Sequence, residues 1–281
     1  SPAVVWWQRQ EVFDWLRLRD YQPSSAVAAL ANETTMTEYS KRVFYVYHPS
    51  LDDKTDFNSH CTGSEQTIVL GCYVSRTGIY VYDVKDPRLH GVQQVTAAHE
   101  MLHAMYDRIS AKEKRKVDAL TAAAFRDVTD ERIKGTIEQY RKRDPSTIPN
   151  ELHSILGTEV ATLPKALEEY YKKYFADRTK VVGFSQKYSQ AFDIRQKKVQ
   201  ADDEKLKDLK SQIDELQKSL TTELRAITSQ EARMNTLKSS NQFEAYNDQV
   251  PSFNSKVNQY NAHVSTVRAL IDQYNTTVNE R

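Results

Sequence analysis

Hydrophobic positions in the last third of the chain repeat at heptad spacing along two segments, 192–237 and 243–278. A narrow apolar stripe sustained over five heptads is typical of a coiled-coil seam. The polar segment 239–241 between the stripes is short, so we expect two helices that fold back on each other as an antiparallel hairpin over residues 183–281. Pro251 within the second stripe predicts a kink or a helix start.

The preceding residues divide into helical, strand-like and again helical patterns. Residues 1–40 show helical spacing, and the β-rich pattern begins at Lys41. We expect the last strand to form the upper edge of a peptide-binding cleft. The predicted strands are 43–47, 67–73 and 79–84, and the predicted helices are 6–19, a short one after Pro23, the segment from Gly91 to Ile109, 111–126, 130–142, one from Asn150 and one from Pro164 to Phe175.

The most specific chemical pattern is the pentapeptide HEMLH at residues 99–103, inside an apolar-periodic helical segment. Residues four positions apart lie on one face of a helix, so the imidazoles of His99 and His103 can converge on one metal ion. Glu100 would project beside the ion, where a carboxylate can accept a proton from a bound water molecule. This pattern predicts a site for one zinc ion per chain.

A zinc site of this kind needs a third protein ligand, and two glutamates on a later predicted helix compete for that role. Glu159 lies within an apolar face, where an unpaired carboxylate is costly, so we favour it. Glu151 is the alternative, because the Asn-Glu-x-x-Ser pattern at 150–154 resembles that of thermolysin. His153 or another residue remains a further option.

These two motifs resemble gluzincin-type zinc metallopeptidases over residues 41–180. The resemblance implies an α+β fold, in which a zincin-like metallopeptidase domain with a small antiparallel or mixed sheet precedes the long coiled coil. The domain would cover residues 1–182, with 1–40 as a helical N-terminal segment and 41–180 as the catalytic core, and the hairpin would cover 183–281.

The resemblance implies hydrolysis of a peptide or protein substrate, with Glu100 as the catalytic base that activates zinc-bound water. A tetrahedral oxyanion needs a further donor. Tyr171, Tyr174 and Arg178, together with Tyr170, are candidate transition-state stabilisers from position alone. The alternative function is a non-catalytic or degenerate metal-binding domain in a coiled-coil interaction or scaffold protein. In a peptidase the coiled-coil arm would serve localisation, assembly or substrate access, and in either case it could bind a partner or mediate self-association.

Cys61 and Cys72 lie eleven positions apart, and we expect a disulfide between them. Free thiols, or a second metal site that includes His60, are the alternatives. A disulfide indicates an oxidising compartment, so we expect an extracytoplasmic or secreted protein. The apolar start at residues 1–7 suits either a core element or the trimmed edge of an N-terminal anchor or signal.

The charge balance and the hydropathy of the chain limit the classes of partner that the sequence suggests. Lys and Arg number 39 against 38 for Asp and Glu, so the balance carries no signature of nucleic-acid binding. No apolar run of eighteen residues exists in the sequence, so we expect membrane contact only through a segment absent from this chain.

Overall fold

The computed structural model describes residues 2–61 and 70–281, with side chains from residue 10 onward in those ranges. The chain forms two compact units, residues 1–191 and 192–281, whereas the sequence placed the boundary between 182 and 183. The observed division falls inside a single long helix. None of the helices in the described ranges combines the length and apolar character needed to cross a membrane.

Helices account for most of the described chain. In the first unit they are α1 (Pro2–Leu18), α2 (Ser25–Glu33), α3 (Glu38–Val46), α4 (Lys54–His60), α5 (Val92–Arg108), α6 (Ala111–Phe125), α7 (Glu131–Arg143), α8 (Ile148–Glu159) and α9 (Lys165–Tyr171), with single 3-10 turns at Pro87–Leu89 and Pro145–Thr147. The strands are β1 (Ser50–Asp52), β2 (Gly71–Val74) and β3 (Gly78–Tyr82). Two long helices follow, α10 (Arg178–Ser239) and α11 (Phe243–Glu280).

Side-chain caps explain where several of these helices begin. Ser24, Thr37, Asp53, Ser110 and Asp130 each precede a helix and accept a hydrogen bond from a backbone N–H of its first turn. A helix leaves its first four N–H groups without intrahelical partners, and such caps stabilise it by about 1 kcal/mol each. Short polar residues therefore fix the helix starts.

The sheet is small and mixed, with strand order β1-β3-β2. β1 pairs with β3 in parallel and β2 pairs with β3 in antiparallel orientation. The turn between β2 and β3 contains Arg76 in a left-handed conformation (φ 61°). Since β3 has partners on both sides, the prediction that the strand at 79–84 forms the free edge of a cleft is wrong. The predicted strand at 67–73 lies partly outside the described residues.

The expected α+β zincin-like fold class is wrong. The described chain is mainly helical, its sheet has three strands of three to five residues, and the segment predicted as a strand at 43–47 belongs almost entirely to α3. Val43, Phe44 and Val46 are buried on that helix, so tertiary packing overrides their preference for strands.

The core of the first unit is built around α5, which packs against α2, α3, α8, β2 and β3. Met101, Leu102 and Met105 are fully buried, and burial of each such side chain contributes about 1.5–3 kcal/mol. The crossing of α5 and α8 is close. A Cβ at Gly157 on α8 would lie 2.5 Å from Cδ1 of Leu102. The glycine thus sets how near α8 approaches α5.

The second unit is the predicted antiparallel hairpin. Buried and half-buried positions of α10 alternate at spacings of three and four from Val199 to Leu237. Glu223 of α10 contacts His263 of α11 at 2.8 Å, and Lys198, much nearer the start of α10, donates to the backbone oxygen of Glu280 at the end of α11. Pairs whose numbers rise on one helix and fall on the other define antiparallel helices. α11 continues through Pro251, so no helix starts there.

Candidate metal centre

Two histidines on α5 form the centre of the candidate site. His99 and His103 lie one helical turn apart on the same face, and their Nε2 atoms are 3.0 Å from each other. The side chains retain 16% and 11% of their exposure, so the pair lies near the surface of the core rather than deep within it. The spacing in the sequence therefore produces the convergence that it predicts.

Glu151 in the first turn of α8 completes the cluster. Its Oε2 atom lies 3.7 Å from Nε2 of His99 and 3.7 Å from Nε2 of His103. That oxygen is buried and has no hydrogen-bond partner. A buried carboxylate oxygen without a donor is costly unless a cation or proton satisfies it. The three ligand atoms therefore leave one position at which a metal ion would satisfy all of them.

Asn150 and Ser154, on either side of Glu151, orient His103. Oδ1 of Asn150 lies 2.9 Å from Nδ1 of His103, and Oγ of Ser154 lies 3.2 Å from the same nitrogen. An Nδ1–H that donates to Asn150 leaves the Nε2 lone pair of His103 free. Outer hydrogen bonds of this kind fix the tautomer of a metal-binding histidine. Both residues belong to the Asn-Glu-x-x-Ser pattern that singled out Glu151 in the sequence.

The donor set fits zinc. Two imidazole nitrogens and one carboxylate oxygen are ordinary zinc ligands, and tetrahedral ligation at about 2.0–2.1 Å separates ligand atoms by about 3.3 Å. The observed separations of 3.0 and 3.7 Å bracket that value. Among the described residues, His99, His103 and Glu151 form the group of potential ligands whose donor atoms all lie within 4.8 Å of one another.

The preference for Glu159 as the third ligand is wrong. Glu159 ends α8, and its Oε2 atom pairs with Nη1 of Arg132 at 2.8 Å. The argument from burial correctly required a partner for this carboxylate, but the partner is an arginine from α7. Two carboxylates eight residues apart are separated by about 12 Å along a helix, so only Glu151 reaches the histidine pair.

Glu100 lies beside the cluster and also contacts the sheet. Its carboxyl group is buried, and burial together with the negative charge of Glu151 raises its pKa to about 7. The positive charge of His103 and the backbone N–H of Tyr73 on β2 act in the opposite direction. A Cβ at Gly71 would lie 3.1 Å from both Cγ and Oε1 of Glu100. Glu100 thus joins the outer strand to α5.

The tyrosines proposed as transition-state stabilisers take part in packing instead. The Tyr171 hydroxyl donates to the backbone oxygen of His153 at 2.6 Å, and the hydroxyls of Tyr170 and Tyr174 lie 2.9 Å apart. Tyr170 also contacts Nε2 of His153 at 3.0 Å. Burial lowers the pKa of His153 to about 3, so this imidazole is neutral. His153 is enclosed by aromatic rings and does not join the His99 cluster.

Arg178 is likewise occupied elsewhere. Its guanidinium pairs with Glu168 and donates to the backbone oxygens of Val160 and Ala161 at 2.7 and 3.1 Å. These bonds satisfy carbonyl groups just beyond the end of α8, where a helix leaves its last acceptors free. The prediction that Arg178 stabilises an oxyanion is therefore replaced by a structural role. Tyr140, whose hydroxyl acts to lower the pKa of Glu151, carried no signal in the sequence.

The structure joins Cys61 and Cys72 by a disulfide, with their Cα atoms 5.8 Å apart. His60 stacks on Tyr80, with ring centroids 4.0 Å apart. The two sulfurs are therefore bonded to each other, which excludes the alternative metal site built from these cysteines and His60. The compartment that the disulfide suggests stays a prediction.

Comparison of the sequence with models of protein families finds a match to a coiled-coil domain family. The family model of the CCDC93 coiled-coil domain matches residues 15–280. No curated protein and no solved structure matches the chain significantly. The match spans nearly the whole chain and is not to a metallopeptidase family, so the gluzincin assignment is wrong. Classification as a zinc-dependent hydrolase or protease is wrong on the same finding, whereas the coiled coil is confirmed.

Proposed function

This chain belongs to the CCDC93 coiled-coil domain family, and we propose that it is an interaction protein whose first unit binds one zinc ion and whose hairpin contacts a protein partner. A coiled-coil family fits a scaffold or assembly role. The zinc site and the division of labour between the two units are the specific parts of the proposal. A peptide substrate has no support from the family.

The observation that carries the metal site is the buried Oε2 of Glu151, which has no donor and lies 3.7 Å from both histidine nitrogens. A zinc ion at this point would be held by His99, His103 and Glu151. When bound, zinc supplies charge neutralisation and a cross-link between helices. Since the ligands come from α5 and α8, the ion would stabilise the central helix pair of the first unit.

Glu100 has a structural use in this proposal. Its carboxyl group lies against β2, where a Cβ at Gly71 would meet Thr96 at 2.3 Å and Glu100 at 3.1 Å, and the backbone N–H of Tyr73 acts to lower its pKa. A buried acid beside a metal ligand is therefore accounted for without a reaction. Zinc content tests the metal site and hydrolysis tests the non-catalytic role, so either of these two parts can fail without the other.

The metal test uses the purified full chain. We expect one zinc per chain by elemental analysis, and after chelation we expect zinc to restore thermal stability. His99→Ala, His103→Ala and Glu151→Ala should each weaken zinc binding by more than about 100-fold, since loss of an outer hydrogen bond alone costs about 10–100-fold. The matched control Glu159→Gln, on the same helix, should keep full zinc occupancy. The metal site would be overturned if the protein bound no zinc after reconstitution. It would also be overturned if Glu159→Gln lost as much zinc affinity as the three ligand variants.

A hydrolysis assay tests the non-catalytic role. Zinc-loaded protein is incubated with casein and with a mixed peptide library, in parallel with Glu100→Gln. We expect no difference between the two proteins. Cleavage that chelators abolish and that Glu100→Gln loses would overturn the non-catalytic proposal while leaving the metal site intact.

We also propose an extracytoplasmic location, which the disulfide supports. Mass spectrometry without reduction, on protein taken from its native source, should find Cys61 linked to Cys72. Two free thiols in that material would contradict this location without affecting the zinc proposal.

A further inference from the structure

An apolar stripe lies on the outer face of α1. Val12, Trp15 and Leu16 occupy adjacent turns on one face of this helix, and they are 58%, 58% and 56% exposed. Apolar residues that occur singly on a surface are ordinary, whereas a contiguous group of large ones indicates a contact surface. The stripe is therefore a candidate site for binding something outside the first unit.

The opposite face of α1 is fixed to the first unit, so the helix cannot turn the stripe inward. The Asp14 carboxylate is buried and pairs with Arg108 of α5. Arg17 donates through Nε to the backbone oxygen of Val46 at 2.9 Å and through Nη2 to that of Thr77 at 2.8 Å. Rotation of α1 would separate a buried ion pair, and a buried charge without its partner is costly. The stripe therefore stays on the surface.

The composition of α1 favours a lipid surface as the partner. All three tryptophans of the chain belong to this helix, and residues 2–7 are without exception apolar or aromatic. Tryptophan is enriched where lipid headgroups meet hydrocarbon, because its large apolar ring carries a single N–H donor. Helical segments that are apolar on every side occur in a protein core or in lipid. The helix thus has the composition of an element at a membrane surface.

The charges beside the stripe are compatible with lipid headgroups. Glu11, one of two acidic residues in α1, pairs with Arg42 of α3 at 2.8 Å, and the other forms the buried ion pair with α5. The guanidinium of Arg19 lies over the ring of Trp15, 5.7 Å from its centroid, and pairs with Asp20. Such a side chain covers apolar surface with its stem and keeps its charge in water. A headgroup layer therefore meets no uncompensated negative charge on α1.

We propose that α1 lies on the surface of a lipid bilayer, with Val12, Trp15 and Leu16 inserted where headgroups meet hydrocarbon. An interfacial helix buries its apolar face about 5–10 Å into that boundary and does not cross the bilayer. The sequence led us to expect membrane contact only through a segment outside this chain, whereas this contact lies within it. The inference goes beyond the proposed interaction role and depends on neither the zinc site nor the partner of the hairpin.

The small area of the stripe sets the expected strength of binding. Three partly exposed apolar side chains offer less hydrocarbon than one acyl chain, which binds bilayers with a constant of about 10⁴ M⁻¹. We therefore expect reversible partitioning, with half of the protein bound at a lipid concentration between about 0.1 and 5 mM.

The test uses the intact chain and vesicles of phosphatidylcholine, with or without a quarter of phosphatidylglycerol. Cosedimentation measures binding, and tryptophan emission reports on α1 alone because the sequence has no tryptophan elsewhere. We expect binding to the neutral vesicles, with emission shifted to shorter wavelengths. Anionic lipid should strengthen binding by less than about threefold, since the charges of α1 are paired. Binding that requires anionic lipid and disappears in high salt would overturn the inference, because the apolar stripe would not be its cause.

Substitutions in the stripe test which residues are inserted. Val12→Gln combined with Leu16→Gln should lower the partition constant at least about tenfold, because polar side chains replace apolar ones while Trp15 remains as the reporter. The matched control Ile194→Gln with Leu224→Gln alters comparably exposed residues of α10 and should bind as the unmodified chain does. Both pairs lie on the surface, so the urea midpoint should stay unchanged. Equal losses in the two pairs would overturn the inference.

Brominated phosphatidylcholine provides a second measurement that needs no substitution. Bromine on the acyl chains quenches tryptophan only at close range, so the emission of bound protein should fall relative to ordinary phosphatidylcholine. Bound protein with unchanged emission would be attached by a surface other than α1 and would overturn the inference. The absence of binding to both kinds of vesicle would also overturn it. If Val12→Gln with Leu16→Gln then abolished binding of a protein instead, the interaction role would stand without the lipid contact.

Discussion

Gly157→Ala tests whether the close crossing of α5 and α8 is required. The added methyl group would lie 2.5 Å from Cδ1 of Leu102 and 2.7 Å from Cε1 of Tyr171. Favourable carbon–carbon contacts lie at about 3.5–4.0 Å, so each neighbour would have to move by about 1 Å. Both neighbours are fully buried and cannot turn into solvent.

Two opposing effects decide the size of the change. Alanine stabilises a helix interior by about 1 kcal/mol relative to glycine. Overpacking a closed core costs about 1–3 kcal/mol, and the upper end applies where the neighbours are buried. We therefore expect Gly157→Ala to lower the free energy of unfolding by about 2 kcal/mol.

Gly135 on α7 provides the matched control, because a Cβ there would meet nothing within 4 Å. Gly135→Ala should therefore raise stability by about 0.5–1 kcal/mol. Urea unfolding with a chelator present, followed by tryptophan fluorescence, reports on the first unit, since all three tryptophans lie in α1. If Gly157→Ala raised the urea midpoint as Gly135→Ala does, the reasoning from the crossing would be refuted.

Three further predictions concern other contacts. Asp14→Asn should destabilise the first unit by about 3 kcal/mol in urea unfolding, because it leaves a buried arginine of α5 without its anionic partner; an unchanged midpoint would contradict this. Replacing Cys61 and Cys72 by serine should lower stability by about 3 kcal/mol, with reduced unmodified protein as the comparison. Glu223→Leu alone should lower the melting temperature of the hairpin, because it leaves His263 without its partner. Glu223→Leu combined with His263→Leu should restore or raise the melting temperature, because apolar packing replaces the pair. If the double variant instead lost as much as the two single variants together, the contact would be refuted.

The sequence predicted the parts of the fold that depend on local periodicity. The hairpin and the turn near residue 240 followed from heptad spacing, and the convergence of His99 and His103 followed from the helical repeat. The strand predicted at 43–47 failed because an apolar segment of that length suits a strand or a buried helix equally. Its helical state depends on packing against α5, which periodicity does not report.

The identity of the third ligand could not be obtained from burial alone. Glu151 and Glu159 lie on one helix, and both carboxylates need a partner. Which of them meets the histidines depends on how α8 crosses α5, and that crossing is set by contacts between distant residues. The resemblance of the motif at 150–154 to thermolysin was the better guide to Glu151, and the structure adds that Asn150 and Ser154 contact Nδ1 of His103.

The proposed zinc ligands and Gly157 lie on the same helix pair, so their effects should be coupled. Glu151 and Gly157 lie on α8, and their counterparts His103 and Leu102 are adjacent on α5. A shift of α8 forced by Gly157→Ala would move the Glu151 carboxylate relative to the histidines. The factor by which this variant weakens zinc binding must equal the factor by which bound zinc increases its destabilisation, because coupling between two sites is reciprocal. Zinc titrations and urea unfolding with and without zinc measure the two factors independently. Equal factors that differ from 1 would show that metal and glycine act on one crossing, and a Gly157→Ala protein with unchanged zinc affinity would show that the site does not depend on it.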